Sequence, residues 1–138
     1  MGRKSSKDAI LDAAERVIRR QGMAGTTIEA VAAEAGVSKG GLFYHFQNKK
    51  DLLLQLLERH GTQFNTLRRE IMETLPDGPH RLLKATILAS VMHPAKKTTH
   101  PSNVVTLLDD VELREKILQM KKDVFEEITA GYPNPERV

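Results

Sequence analysis

A serine, a lysine and two consecutive glycines form the part of this chain best suited to hydrogen bonding with another molecule. Ser38 is a residue type that caps helices, so a helix is predicted from Lys39 to about Phe46. Lys39 is the only long donor at the tip of that helix and could reach the O6 and N7 atoms of guanine, or a phosphate. Gly40 and Gly41 would let the backbone approach a groove floor, although each costs a helix about 1 kcal/mol. Easier helix packing is the alternative use of these glycines; we favour the first because two adjacent glycines directly after a cap are hard to explain otherwise.

A second short helix precedes this one and must hold it in place. Thr26 and Glu29 stand at the S/T-x-x-E spacing of a capping box, which predicts a helix that begins at Thr26 or Thr27. Gly36 supplies the left-handed residue that ends it. Apolar residues recur at three and four positions and form one stripe, namely Ile28, Val31, Ala32 and Ala35. Two short helices joined by a tight glycine turn are typical of the helix-turn-helix, whose second helix enters the major groove of DNA.

Helical patterns also cover the rest of the chain. A capping box at Ser5 and Asp8 starts the first predicted helix, and Asn48 with Asp51 starts the fourth. Stop and start signals bound the predicted helices, which run from Asp8 to Gln21, from Asn48 toward Leu75, from Pro79 to a break at His93, from Pro101 through Leu108, and from a cap at Asp109 and Glu112 to Gly131. No strand pattern or internal repeat is present, so we predict an all-α fold. Residues 1–50 are expected to form a three-helix DNA-binding domain, and residues 51–138 a helical regulatory domain that appears truncated.

Composition and charge exclude several classes of protein. The 138 residues include no cysteine, which excludes a disulfide framework and a cysteine-ligated metal. No apolar run approaches the roughly 18 to 20 residues that a membrane span needs, and the basic start lacks the apolar segment of a signal peptide, so a cytoplasmic protein is expected. Through residue 50 there are nine Lys and Arg against five Asp and Glu, whereas the remainder has twelve against thirteen. The positive charge therefore lies in the half with the helix-turn-helix pattern, which suits binding to phosphates.

Three segments together resemble the TetR family of transcriptional regulators. They are ILDAAERVI at residues 10–18, TTIEAVAAEAGVSKGGLFYHF at residues 26–46, and Lys49 followed by Leu52. The resemblance covers about residues 8–60. It implies a homodimeric repressor that binds an operator in double-stranded DNA and loses affinity when a small molecule binds among the C-terminal helices. It also implies two further helices for dimerisation, which this sequence lacks.

The resemblance also implies roles for individual residues. Tyr44, His45 and Lys49 match the phosphate-contacting positions of the family, and Thr27 matches a threonine that meets phosphate. Together with Ser38, Lys39, Gly40 and Gly41 they form the predicted DNA-binding set. Phe43 departs from the tyrosine common at its position, and Ile28 replaces a polar residue that reads a base in some relatives. A packed histidine is the alternative for His45, but Phe43 and Phe46 are expected to fill the core, which favours an outward His45.

A pocket for the effector would lie among the apolar positions of the later helices, although most such positions are ordinary core. The candidates are Phe64, Leu67, Leu83, Ile87, Leu108, Ile117 and Met120, with Met92, Leu107 and Leu113 beside them. Neither a cofactor nor a metal is expected, because the five histidines form no H-x-x-x-H or H-E-x-x-H pair. No phosphate-binding loop or nucleophile elbow is present, so an enzyme is not expected. The rival hypothesis is a helical interaction module that dimerises without DNA specificity.

Overall fold

The protein was analysed as a computed structural model, which describes residues 5–93, 107 and 109–130. Six helices have defined bounds within these residues, and none of the described residues is in a strand. They are α1 (Ser6–Gln21), α2 (Ile28–Ala35), α3 (Lys39–His45), α4 (Lys49–Thr74), α5 (Arg81–Met92) and α6 (Val111–Ala130). The all-α prediction is confirmed. The predicted helix from Pro101 through Leu108 lies outside the described residues, except for Leu107, which is helical. The residues from Gly131 onward also lie outside them.

Capping groups fix where the first helices begin. The Asp8 amide donates to Ser5 Oγ at 3.1 Å, so α1 begins at Ser6, two residues before its predicted start. Of the two predicted starts of α2, Thr27 is confirmed, because it accepts the Ala30 amide at 3.1 Å, and the capping role predicted for Thr26 is wrong. Thr26 is instead buried and donates its hydroxyl to the Gly22 carbonyl at 2.7 Å. Because the Thr26 hydroxyl is used elsewhere, Thr27 sets the start of α2. A capping hydroxyl contributes about 1 kcal/mol to stability.

The caps of α4 and α6 follow the same chemistry. Asn48 Oδ1 accepts the Asp51 amide at 2.9 Å, and the Asp51 carboxylate accepts the Gln47 amide at 2.8 Å, as the sequence predicted for this helix start. The cap predicted at Asp109 is wrong by one residue. Asp110 Oδ1 accepts the amides of Glu112 at 3.0 Å and Leu113 at 3.1 Å.

One buried cluster joins the N-terminal helices to parts of α4 and α6. From α1 to α3 it takes Ile10, Leu11, Ala13, Ala14, Val17, Ile18, Met23, Val31, Ala32, Leu42 and the following Phe46. Three leucines from the first turns of α4 and Leu113 from α6 complete it, and Leu107 packs against its edge. The helix-turn-helix is therefore held by α1 on one side and by the start of α4 on the other. The predicted division at residue 50 stays a prediction.

Candidate nucleic-acid interface

The turn between α2 and α3 is fixed by backbone hydrogen bonds and one left-handed glycine. Gly36 has φ 68°, and its amide donates to the carbonyls of Ala32 and Ala33. The Val37 amide donates to the Ala32 carbonyl at 3.0 Å, which completes a Schellman ending. Any other L residue would be strained at this φ, so Gly36 is required by the turn itself.

Opposite faces of α3 point into the core and to the surface. Leu42 and Phe46 are 0% and 1% exposed, whereas Tyr44 is 85% exposed. The Gly41 amide donates to Ser38 Oγ at 3.0 Å, so Ser38 caps α3 as predicted. The expectation that Phe43 fills the core is wrong, because Phe43 is 42% exposed on the same surface as Tyr44. The helix therefore presents the rings of Phe43 and Tyr44 outward.

Lys39 is at the surface but already has an ionic partner. Its Nζ lies 2.5 Å from Glu29 Oε1 on α2, and both side chains are more than half exposed. The same Nζ lies 5.9 Å from the centroid of the Phe43 ring. The hydrogen bond from Lys39 lowers the pKa of Glu29. The carboxylate holds the lysine at the tip of α3 and neutralises its charge, a pairing that sequence reasoning missed because it joins two helices.

The two glycines of α3 differ in their surroundings. A Cβ atom on Gly40 would meet only Ser38 Oγ, at 4.0 Å, which is ordinary contact. On Gly41 it would lie 3.2 Å from Ser38 Oγ and 3.8 Å from Val37 Cβ. Close helix packing therefore does not explain Gly40, and Gly41 is crowded by the cap of its own helix. The outer side of Gly40 is exposed, where the backbone is open to another molecule.

The other predicted DNA-binding residues flank this surface. Thr27 is exposed and uses its hydroxyl oxygen as the cap of α2. Lys49 is half-buried in the first turn of α4. His45 is also half-buried, with its ring centroid 5.0 Å from that of Tyr44 in an edge-to-face arrangement. The ring is thus neither fully outward nor a core residue.

The predicted effector residues that the structure describes differ in burial, and their role stays a prediction. Ile87 and Met92 are exposed, at 55% and 61%, and Leu113 belongs to the N-terminal core. The remaining described candidates are half-buried, namely Phe64, Leu67, Leu83, Ile117 and Met120. An open cavity of about 220 Å³ lies elsewhere, lined by Asn65, Arg68, Arg69, Met72, Leu82 and Glu127.

Sequence reasoning missed Arg68 in this cavity. The signal was present, because Arg68 follows Phe64 by four residues and therefore lies on the apolar stripe of α4. Metal binding has no support among residues 5–93, 107 and 109–130, where no three His, Asp or Glu side chains gather as ligands. Within the same ranges, no helix is both long and apolar enough to cross a bilayer.

Known bacterial regulatory proteins are similar to this chain in sequence. Residues 10–56 match the family of bacterial regulatory proteins named tetR. The HTH-type transcriptional regulator AcrR of Shigella flexneri is 30% identical over 94 residues, which are 64% of this chain and 44% of the relative. The fatty acid metabolism regulator protein of Bacillus subtilis (strain 168) is 29% identical over 125 residues, or 91% of this chain and 61% of the relative. This chain thus spans less than two thirds of either relative.

A solved structure is also similar to this chain. The fatty acid degradation regulator FadR from Bacillus halodurans superimposes with a TM-score of 0.73 at 27% identity, covering 100% of this chain and 76% of that one. The likeness thus extends beyond the matched segment into α4, α5 and α6. Residues 10–56 thus carry the DNA-binding segment of the TetR family of bacterial regulatory proteins, and the shared helical order extends the similarity to that family over the later helices.

Proposed function

We propose that this protein is a DNA-binding transcriptional regulator of the bacterial cytoplasm, not an enzyme, and that it represses genes by occupying an operator. The observation that carries the proposal is the exposed face of α3, where Lys39, Gly40 and Tyr44 lie together above a buried anchor at Leu42. An exposed polar face on the second helix of a helix-turn-helix is the part that reads a major groove.

Roles follow from position and chemistry. Lys39, at the start of α3, is assigned to base edges, where a long amine can donate to guanine. Tyr44, His45 and Lys49 are assigned to phosphates, with Thr27 and the amides near Ser38 as uncharged donors. Gly40 and Gly41 are assigned to close approach of the backbone to DNA.

The complete regulator is proposed to act as a homodimer. Two copies of α3 about 34 to 36 Å apart would meet successive major grooves of a pseudo-palindromic operator. Light scattering on the purified chain measures whether it associates. A monomer would place the dimer contacts in segments other than those described here.

A small-molecule effector is proposed to control this binding. The effector must bind the conformation that cannot engage DNA more tightly than the one that can, because only differential affinity shifts an equilibrium. α4 can transmit the change, since it runs from the buried cluster of the DNA-binding helices to the cavity near Arg68. An effector that tilts α4 would change the separation of the two reading helices, and equal separation with and without effector would contradict this route.

The test is selection of bound fragments from a random pool of duplex DNA, followed by affinity measurements on the selected sequence. We expect Lys39→Ala to reduce discrimination among operator variants. We expect Lys49→Ala to weaken binding to all duplexes about evenly and to reduce the slope of log affinity against log salt by about one. Lys84→Ala, at an exposed position on α5, is the control and leaves both quantities unchanged.

Three results would contradict the proposal. Selection of no fragment would favour the rival hypothesis of a helical interaction module. Binding without salt dependence would exclude contacts with the phosphate backbone. If the two lysine variants changed specificity alike, the separate roles of Lys39 and Lys49 would be wrong.

A further inference from the structure

We propose that the cavity between α4, α5 and α6 binds a small amphipathic carboxylate through Arg68. The role of this ligand as the effector rests on the proposed function, whereas its binding to the cavity does not. The inference comes from one buried guanidinium, the charges around it and the apolar side chains that share its cavity.

Arg68 is a buried cation with only part of its hydrogen-bonding capacity used. The residue is 8% exposed. Its Nη2 donates to Glu127 Oε2 at 2.5 Å, while its Nη1 is buried and has no acceptor among the described residues. A buried charged donor without an acceptor is costly, so this site favours a ligand that supplies one.

The cavity has an excess of positive charge. Arg68 and Arg69 both line it, against the single carboxylate of Glu127. An anion with one negative charge would balance this set, whereas a cationic ligand would add to the repulsion. Glu127 is 53% exposed, so its carboxylate is a partly solvated partner from which Arg68 can turn toward a ligand.

The remaining lining defines the rest of the ligand. Met72 from α4 and Leu82 from α5 provide apolar walls, and Asn65 adds an amide. A planar guanidinium matches the two oxygens of a carboxylate with parallel hydrogen bonds. In a cavity of about 220 Å³, a carboxyl group can therefore pair with the guanidinium while a short apolar body contacts Met72 and Leu82.

The location of the cavity gives binding a structural consequence. Arg68 lies sixteen residues beyond Leu52 on the same helix, a distance of about 24 Å along its axis. Leu52 is fully buried in the core of the DNA-binding helices. A ligand that draws Arg68 away from Glu127 loosens the tie between α4 and α6, and α4 carries that change toward the helix-turn-helix.

The experiment measures ligand binding by calorimetry on the whole chain without DNA. The probes are benzoate and hexanoate, and their neutral matches are benzamide and hexanamide. We expect at least one carboxylate to bind with one site per chain, and its amide to bind about tenfold more weakly or not at all. Equal affinities for a carboxylate and its amide, or no binding of either carboxylate, would overturn the proposal.

Substitutions separate recognition from folding. Arg68→Met keeps an unbranched apolar stem but removes the guanidinium, and should reduce carboxylate affinity about tenfold or more, whereas Arg68→Lys keeps the charge and should lose less. Glu127→Gln removes the competing carboxylate and should raise the affinity roughly threefold or more. Lys84→Gln on α5 is the control and should bind as the unmodified protein does. Circular dichroism establishes that each variant is folded before it is titrated.

The outcomes distinguish this site from the proposed function. Unchanged affinity in folded Arg68→Met, or no gain in Glu127→Gln, would place the ligand elsewhere and overturn the site. Carboxylate binding that depends on Arg68 but leaves operator affinity unchanged would keep the site and remove its role as the effector site. Failure to bind any DNA would overturn the proposed function and leave the calorimetric result intact.

Discussion

At the scale of single residues, the pair between Lys39 and Glu29 controls how much positive charge the tip of α3 presents. The ammonium and carboxylate lie 2.5 Å apart, and both side chains are largely exposed. DNA that binds α3 as proposed would therefore have to displace Glu29 from Lys39 or accept the lysine with its charge partly neutralised. Exposed pairs are weak, so a correct operator can replace the carboxylate, whereas a non-specific duplex gains little from doing so.

We predict that Glu29→Gln binds non-specific duplex DNA more tightly. The substitution removes one negative charge from the proposed interface and frees Lys39, so the non-specific affinity should rise roughly threefold and the salt slope should steepen by about one. Fluorescence anisotropy with selected and scrambled duplexes gives the ratio of affinities, which should fall. Unchanged salt slope and unchanged affinity ratio would show that Glu29 has no effect on DNA binding.

We predict that Gly40→Ala increases folding stability and decreases affinity for the operator. The new Cβ meets no close neighbour, so replacing a helical glycine should add about 1 kcal/mol to the free energy of unfolding. Loss of one close backbone contact to DNA should weaken operator binding about tenfold. Thermal melting and anisotropy measure the two effects, and Gly78→Ala, also with open space around its Cβ, is the control. Operator affinity that survives in Gly40→Ala would assign this glycine no role in DNA approach.

Part of the site could be predicted at this scale and part could not. Ser38, Gly36 and the exposed Tyr44 follow from local rules of capping, turn geometry and helix periodicity. The Glu29 partner of Lys39 depends on the angle between two helices, which local patterns do not determine. Phe43 was assigned to the core by its apolar character alone, although a helix of seven residues has room to bury only one face.

At the scale of elements, ion pairs hold α1 against α2. Glu34 on α2 accepts from Arg16 Nε at 2.8 Å and from Arg20 Nη2 at 2.7 Å, both on α1. Hydrogen bonds from Arg20 and then Arg16 lower the pKa of Glu34 to about 2. Because α2 positions α3 through the Gly36 turn, the ion pairs of Glu34 also help to orient the proposed reading helix.

We predict that the ion pairs of Glu34 make the folding stability of the protein depend on pH in the acid range. The pKa of Glu34 is lowered from 4.5 to about 2 on folding, so its contribution is complete above pH 4.5 and is lost as pH falls toward 2. Glu34→Gln should therefore melt at a lower temperature than the unmodified protein at pH 6, and the difference should shrink as pH approaches 2. Melting temperatures from circular dichroism between pH 2 and 7 measure this trend. A difference that stays constant over that range would contradict a stabilising role of the charged carboxylate.

The helices themselves were predictable because their signals are local. Periodic apolar residues and caps at Ser5, Asn48 and Gly36 are read within a few neighbouring positions. Errors of one residue arose where two candidate caps stood side by side, as at Thr26 and Thr27 and at Asp109 and Asp110. Which side of α5 is buried was harder to predict from the sequence. Its buried stripe consists of Ala85, Thr86 and Ala89, whereas Ile87, the larger apolar residue, is exposed among the described residues.

At the scale of the whole molecule, the N-terminal core includes residues that sequence patterns assign to the regulatory domain. Leu113, at the start of α6, is 3% exposed and belongs to the same cluster as Ile10 and Leu42. Lys116 on α6 also pairs with Glu58 on α4 at 2.8 Å. No pattern in residues 1–50 reveals this contact, because its partner lies more than sixty residues further along the chain. α6 therefore contributes directly to the core that supports α3.

We predict that Leu113→Ala destabilises the DNA-binding helices although it lies far from them in sequence. Removal of a buried leucine leaves a cavity, so the free energy of unfolding should fall by about 3 kcal/mol. Leu118→Ala on the same helix is the matched control, because Leu118 is 56% exposed and its loss should cost less than about 0.5 kcal/mol. Urea denaturation measures both values, and hydrogen exchange of the amides in α1 and α3 locates the effect. Faster exchange of these amides in Leu113→Ala, but not in Leu118→Ala, would establish that α6 supports the reading helix. An effector that acts through α6 would have to use this support. Equal behaviour of the two variants would mean that the DNA-binding helices are stable without α6.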